Sequence, residues 1–139
     1  MGYTITIGEL DIIKSPDDGI DCPCIGFDTK EERHDDAPAL IEVSDSTNSR
    51  YPSCTDWYNF IERLGLTSVF YDRFGLIGGY PGVRLVTSEL VEIVGCSKRD
   101  FEKKITNPKI DYDYNRLIWL DYWLNWAFKN CKTPVIVTF

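Results

Sequence analysis

The sequence predicts an α+β fold. It is a helix-dominated single globular domain, residues 1–139, wrapped round a buried aromatic C-terminal helix, with a small sheet pairing the N- and C-terminal strands. Three observations carry this expectation. Tyr112–Asn130 holds no Gly or Pro and is rich in Leu and Trp, enough for about five helical turns, roughly 28 Å. Tyr3-Thr4-Ile5-Thr6-Ile7 alternates apolar and hydroxyl side chains with the period of a strand, and Val135-Ile136-Val137-Thr138-Phe139 is a second β-rich run at the other end. Between them, Trp57, Phe60, Ile61 and Leu64 recur at the i, i+3, i+4, i+7 spacing of an amphipathic helix.

In chain order, residues 9–14 extend the first strand or pair back on it, and Ser15-Pro16-Asp17-Asp18-Gly19 reads as a turn. Residues 17–36 are acidic and irregular. Asp28-Thr29-Lys30-Glu31 has the form of a capping box opening one short helical turn. Ala39-Leu40-Ile41-Glu42-Val43 suggests a short strand, and residues 44–50 a polar loop. A helix over residues 54–64 is capped by Ser53 or Thr55, with Asp56 favouring its first-turn dipole and Gly65 ending it. Residues 66–74 are a short helical or extended piece. Residues 75–82 hold four glycines, and Val83-Arg84-Leu85-Val86 is β-like. Thr87 or Ser88 caps a helix with Leu90, Val91 and Val94 inward. Gly95 is expected to break it and Ser97-Lys98-Arg99-Asp100 to restart it, with Phe101 and Ile105 inward, until Thr106-Asn107-Pro108 stops it.

On the long C-terminal helix, Trp119, Leu120, Trp123, Trp126 and Ala127 crowd one side, and Leu117, Leu124 and Phe128 widen the apolar arc. Asp121, Asn125 and Lys129 form a polar line at i, i+4, i+8. It reads as a solvated stripe or, alternatively, a partner-facing line at a dimer interface.

Charge narrows the function classes. With 22 acidic and 15 basic residues the net charge is −7, which does not suit general binding along a long nucleic acid, where Lys and Arg supply most of the affinity. It leaves room for a small phosphorylated ligand held by a few local cations. Arg116 and Asp121 interrupt the best apolar run, so no membrane span is expected. The opening Met1-Gly2-Tyr3-Thr4 has no basic n-region, and the five cysteines are read as reduced thiols, so a cytoplasmic setting is expected. Cys22-Pro23-Cys24 with His34, Asp35 and Asp36 is the one candidate metal cluster. It lacks a convincing fourth ligand, and neither a metal nor a cofactor is assigned. The chain holds a single histidine without nucleophile context, so no catalytic residue is named.

The candidate ligand-binding residues are Asn48, Arg50, Tyr51, Trp57, Arg73, Gly78, Gly79, Tyr80, Arg84 and Arg116. Arginines offer planar donor forks to phosphate, glycine-loop amides form an anion nest, and aromatic faces accept a base. Gly78-Gly79-Tyr80-Pro81-Gly82 is neither a Walker loop nor G-x-G-x-x-G. It also suits a tight turn beneath an aromatic. Arg116 lies within the apolar arc, where it either meets an anion or pairs with a carboxylate such as Asp113.

Three stretches carry a resemblance. They are Asn48-Ser49-Arg50-Tyr51-Pro52-Ser53 with Trp57; Leu76-Ile77-Gly78-Gly79-Tyr80-Pro81-Gly82; and Arg116-Leu117-Ile118-Trp119-Leu120-Asp121-Tyr122-Trp123 running on to Trp126-Ala127 and Asn130-Cys131-Lys132-Thr133-Pro134. With the N-terminal strand they resemble a group of small uncharacterised proteins of tailed phages and prophages, over most of the chain apart from residues 15–37. The resemblance implies a phage accessory protein in the cytoplasm of an infected bacterial host. By analogy it implies a counter-defence factor that sequesters a nucleotide-derived immune signal without cleaving it, or one that inhibits a host protein by direct contact. A homo-oligomer is expected, since shared pockets at subunit boundaries are common among such binders.

Overall fold

The computed structural model describes residues 4–14, 25–40, 46–71, 82–108 and 111–138. Their elements are β1 (Ile5–Lys14), β2 (Ile25–Thr29), β3 (Ser49–Arg50), α1 (Cys54–Arg63), α2 (Thr67–Tyr71), β4 (Gly82–Leu85), α3 (Ser88–Glu102), α4 (Tyr112–Asn130) and β5 (Pro134–Thr138). This is the α+β architecture the sequence predicts, with the two ends of the chain paired in one antiparallel sheet of order β2-β1-β5-β4. Ile5 faces Thr138 and Ile7 faces Ile136 across the terminal pair. The strand β3 pairs Arg50 with Ile5 on the other edge of β1.

Helix α4 forms over the whole expected stretch because nothing in it interrupts the backbone ladder and its start is capped. Asp111 accepts from the Tyr114 amide. Leu117, Trp119, Leu120, Trp123, Leu124 and Ala127 are buried on it. They share one core with Ile5, Ile7 and Ile136 of the sheet, Trp57, Phe60 and Ile61 of α1, and Leu90 and Val94 of α3. Burying a large apolar side chain stabilises by about 1.5–3 kcal/mol, so this helix is the main source of cohesion. Ser53 and Thr87 cap α1 and α3 as expected. Gly65, at φ +68°, takes the left-handed position that ends α1.

Two expectations are corrected. Helix α3 runs unbroken through Gly95. An interior glycine costs about 1 kcal/mol relative to alanine, and packing of α3 along α4 outweighs it; the Asp121 carboxylate of α4 lies 3.7 Å from where a Cβ would stand. Asp28-Thr29 opens no helical turn: it is the end of β2, paired with Leu10 and Asp11 of β1. Strand pairing satisfies several backbone groups at once, where a single helical turn would leave most unbonded. Of the expected strand over residues 39–43, residues 41–43 lie outside the described residues.

The segment after β2 is held by one buried side chain. Asn48 donates through its carboxamide to the carbonyls of Ile7 and Lys30 and accepts from the Glu32 amide. Its backbone N–H reaches the Glu32 carbonyl, and its own carbonyl accepts from Ile7. The Trp119 indole N–H donates to the Thr47 carbonyl at 3.0 Å, so α4 grips the same loop.

Two stability measurements follow. Asn48→Ala strips one buried and two part-buried backbone groups of partners and is expected to lower unfolding free energy by roughly 2–4 kcal/mol in urea denaturation. Gly95→Ala meets only ordinary contacts of 3.5 and 3.7 Å and is expected to raise it by about 0.5–1 kcal/mol.

Candidate functional site around Trp126

The described residues place two clefts on either side of Trp126, in the C-terminal half of α4. The first, about 440 Å³, is walled by Trp126, Asn130 and Cys131, with Lys30, Glu32, Glu9 and Lys132 at its rim. The second, about 470 Å³, is walled by Tyr122, Trp126 and Asn130, with Asp121, Asn125 and Lys129 completing it. Trp126 and Asn130 stand one turn apart, and the Asn130 side-chain carboxamide donates back to the Trp126 carbonyl at 2.8 Å, so the two make a ridge between the clefts. The polar line Asp121, Asn125 and Lys129 is therefore a cleft wall. Asp121 meets Lys98 of α3 at 3.3 Å and accepts from Asn125.

Behind the ridge lies His34. The backbone bonds of Asn48, together with His34 donating its amide to the Ser46 carbonyl, lay residues 30–34 across α4. The imidazole packs at 4.7 Å from Trp123 and edge-on to Trp126 at 5.3 Å. Its Nδ1 is 2.9 Å from the Tyr122 hydroxyl and its Nε2 is 3.0 Å from Glu32 Oε1. Burial pushes the Tyr122 phenol up, and the negative charges of Asp36 and Glu32 add to the effect. The Cys131 thiol is likewise pushed up, first by burial and then by Glu9 and Glu32, so it sits in the first cleft as a protonated, weakly nucleophilic group. Among the described residues there is no group of His, Cys, Asp or Glu able to hold a metal ion. Cys22 and Cys24 lie outside the described residues.

The residues expected to bind a ligand are placed as follows. Asn48 is fully buried with every carboxamide atom engaged in the bonds above. Arg50 is buried on β3 beside Ile5. Tyr51 is 68% exposed. Trp57 is in the core against Phe60 and Phe70. Arg84 lies on β4 with its guanidinium over Phe70 at 6.0 Å, which brings it towards the Trp57 cluster. Arg116 pairs with Asp113 at 3.4 Å and lies over Tyr112, at the other end of α4 from Trp126. Asp113 also takes a two-pronged bond from Arg63, at 2.7 Å on each oxygen. Arg73, Gly78, Gly79 and Tyr80 lie outside the described residues.

Sequence reasoning did not nominate Glu32, Tyr122, Trp126 or Lys132. The available signal is the lone histidine flanked by acids, which the sequence offers as a metal ligand or a catalytic base rather than as a packing neighbour of aromatic residues. No helix among the described residues is long and apolar enough to cross a membrane. Comparison of the chain with family models, curated proteins and solved structures gave no match.

The raised phenols fix an alkaline behaviour. Tyr122 is raised first by burial and then by Asp36 and Glu32; Tyr114 is raised by burial and by its bond to Glu102. Their folded-state neutrality stabilises fully below the unfolded phenol value of about 10 and is lost as pH rises through the higher folded values. Urea midpoints are expected to fall as pH rises above about 10, and less steeply in Tyr122→Phe.

Proposed function

We propose that this protein binds a small nucleotide-like ligand at the Trp126 ridge and holds it without chemical conversion. The observation that carries the reading is one indole forming a wall of two clefts whose rims carry both cations and hydrogen-bonding groups. Stacking of a base on an aromatic side chain contributes about 1–3 kcal/mol. Lys30, Lys132 and Lys129 supply cations for phosphate oxygens. Asn125, Asn130 and Glu32 supply the donors and acceptors that read a base edge. Holding rather than converting is supported by two features: both ring nitrogens of His34 are already committed, and the Cys131 thiol is kept protonated. Together with the resemblance to phage proteins, this makes a counter-defence factor that sequesters a nucleotide-derived immune signal in the cytoplasm of an infected host the favoured setting.

A second reading is favoured by the exposed Tyr51 together with the net charge of −7. On that reading an acidic, aromatic surface docks on a basic host protein and inhibits it.

Thermal denaturation against a panel of linear and cyclic nucleotides tests the proposal. At a ligand concentration one hundred times Kd, stabilisation is about 2.7 kcal/mol, a rise of several degrees in Tm. Trp126→Ala is expected to remove that rise while leaving the protein folded, because the indole is only partly buried. Ligand released by denaturation should be recovered intact. A converted product, or a panel without any shift, would overturn the proposal, and the latter would favour the host-protein reading.

A further inference from the structure

Glu32 is an acceptor held in place through both its backbone and its side chain. Its N–H donates to the Asn48 carboxamide oxygen at 2.8 Å, and its carbonyl accepts from the Asn48 N–H at 2.9 Å. Its Oε1 lies 3.0 Å from His34 Nε2. A carboxylate only accepts, so Nε2 carries the hydrogen. The Tyr122 hydroxyl then donates to Nδ1 at 2.9 Å, which holds the ring from its other side. Oε2 accepts no bond among the described residues, and Oε1 keeps a second lone pair. The Glu32 side chain is 43% exposed, so this acceptor capacity is open to the cleft of about 440 Å³ that the Trp126 indole walls. The other carboxylate of that cleft, Glu9, accepts from the Thr133 amide at 2.8 Å. Lys30 and Lys132 share the rim, and neither enters an ion pair among the described residues.

We infer that the first cleft selects a guanine nucleotide and that Glu32 reads its base. This deepens, and rests on, the reading of the Trp126 ridge as a nucleotide site. A base stacked on the indole turns its edge to a group that can only accept hydrogen bonds, so the edge has to donate. Guanine carries two adjacent donors, N1–H and the N2 amino group, and they match the two carboxylate oxygens as a fork. The next atom along that edge, O6, is an acceptor, and an ammonium group of the rim answers it. Adenine and cytosine offer one amino donor beside a ring-nitrogen lone pair, which a carboxylate oxygen repels. Uracil offers one N–H between two carbonyls. The mixed charge of the rim also sets the orientation of the ligand. Glu32 and Glu9 repel a phosphate while Lys30 and Lys132 attract it, so the base edge goes to Glu32 and the phosphate to a lysine. A chain of net charge −7 can take an anion in this way, because the acidic group it keeps in the cleft is the one that selects the base.

Isothermal titration of the full chain with GDP, IDP and ADP tests it. The three probes carry the same phosphates, so their differences report the base. The wild-type protein is expected to bind GDP on the order of tenfold to a hundredfold more tightly than ADP. IDP keeps N1–H and lacks the amino group, and is expected to fall between them. Guanosine and adenosine, without phosphate, are expected to bind more weakly and in the same order. Glu32→Gln keeps the size of the side chain and an oxygen for His34, but replaces one acceptor by an N–H donor. It is expected to bring the GDP and ADP constants together. The inference is overturned if ADP binds as tightly as GDP, if IDP matches GDP, if the nucleosides lose the order, or if Glu32→Gln keeps the wild-type ratio. Should that variant not fold, the wild-type series decides alone. ADP bound as tightly as GDP would leave the ridge a nucleotide site and sink only the base selection. No binding by any of the probes would sink the ridge reading and this inference with it.

Discussion

A helix carrying apolar side chains round most of its circumference has to be covered on most sides. Four tryptophans serve this protein, and three of them, Trp119, Trp123 and Trp126, belong to α4. One side of α4 is met by the terminal sheet through Ile5, Ile7 and Ile136, and others by α1 and α3. The side bearing Trp119 and Trp123 is met by the segment after β2, where His34 packs on Trp123 and hydrogen bonds fix the backbone. Asn48 and the indole of Trp119 supply those bonds. A polar staple in a dry setting has high stakes, because a lost partner leaves buried groups unsatisfied.

The same arrangement produces the clefts. Once residues 30–34 lie across α4, Glu32 reaches the Cys131 end of the helix, while His34 stacks on Trp123 and meets Tyr122. Trp126 is the tryptophan of α4 that the covering segment leaves only partly buried. Fold and site therefore have a common cause: the loop that completes the core also brings polar groups from distant parts of the chain to the ridge.

The parts of the fold that depend on nearby residues were legible. Composition alone marks α4, hydroxyl caps mark the starts of α1 and α3, alternation marks the N-terminal strand and a β-rich run marks the C-terminal one. Gly95 misled because a local propensity penalty of about 1 kcal/mol is smaller than the packing of a long helix. Asp28-Thr29 misled because a capping pattern is also compatible with the end of a strand, and the partner strand decided. The site was far less legible. Asn48 reads as an available polar side chain until its bonds to Ile7, 41 residues away, are seen. His34 and Tyr122 are 88 residues apart, and no periodicity links them. Contacts of that separation are set by topology, which a single sequence does not display. Arg116 was legible in part: its position within the aromatic arc left it either an anion or a carboxylate such as Asp113 to meet, and it pairs with Asp113.

Native-state hydrogen exchange tests most directly whether the loop and the helix are one cooperative unit. The amides of Glu32, His34 and Asn48, whose acceptors lie within or beside the loop, should open with the same free energy as the middle of α4, and Asn48→Ala should lower both together. If those loop amides exchange orders of magnitude faster while α4 stays protected, the helix is covered by something other than this segment and the ridge is not built as described.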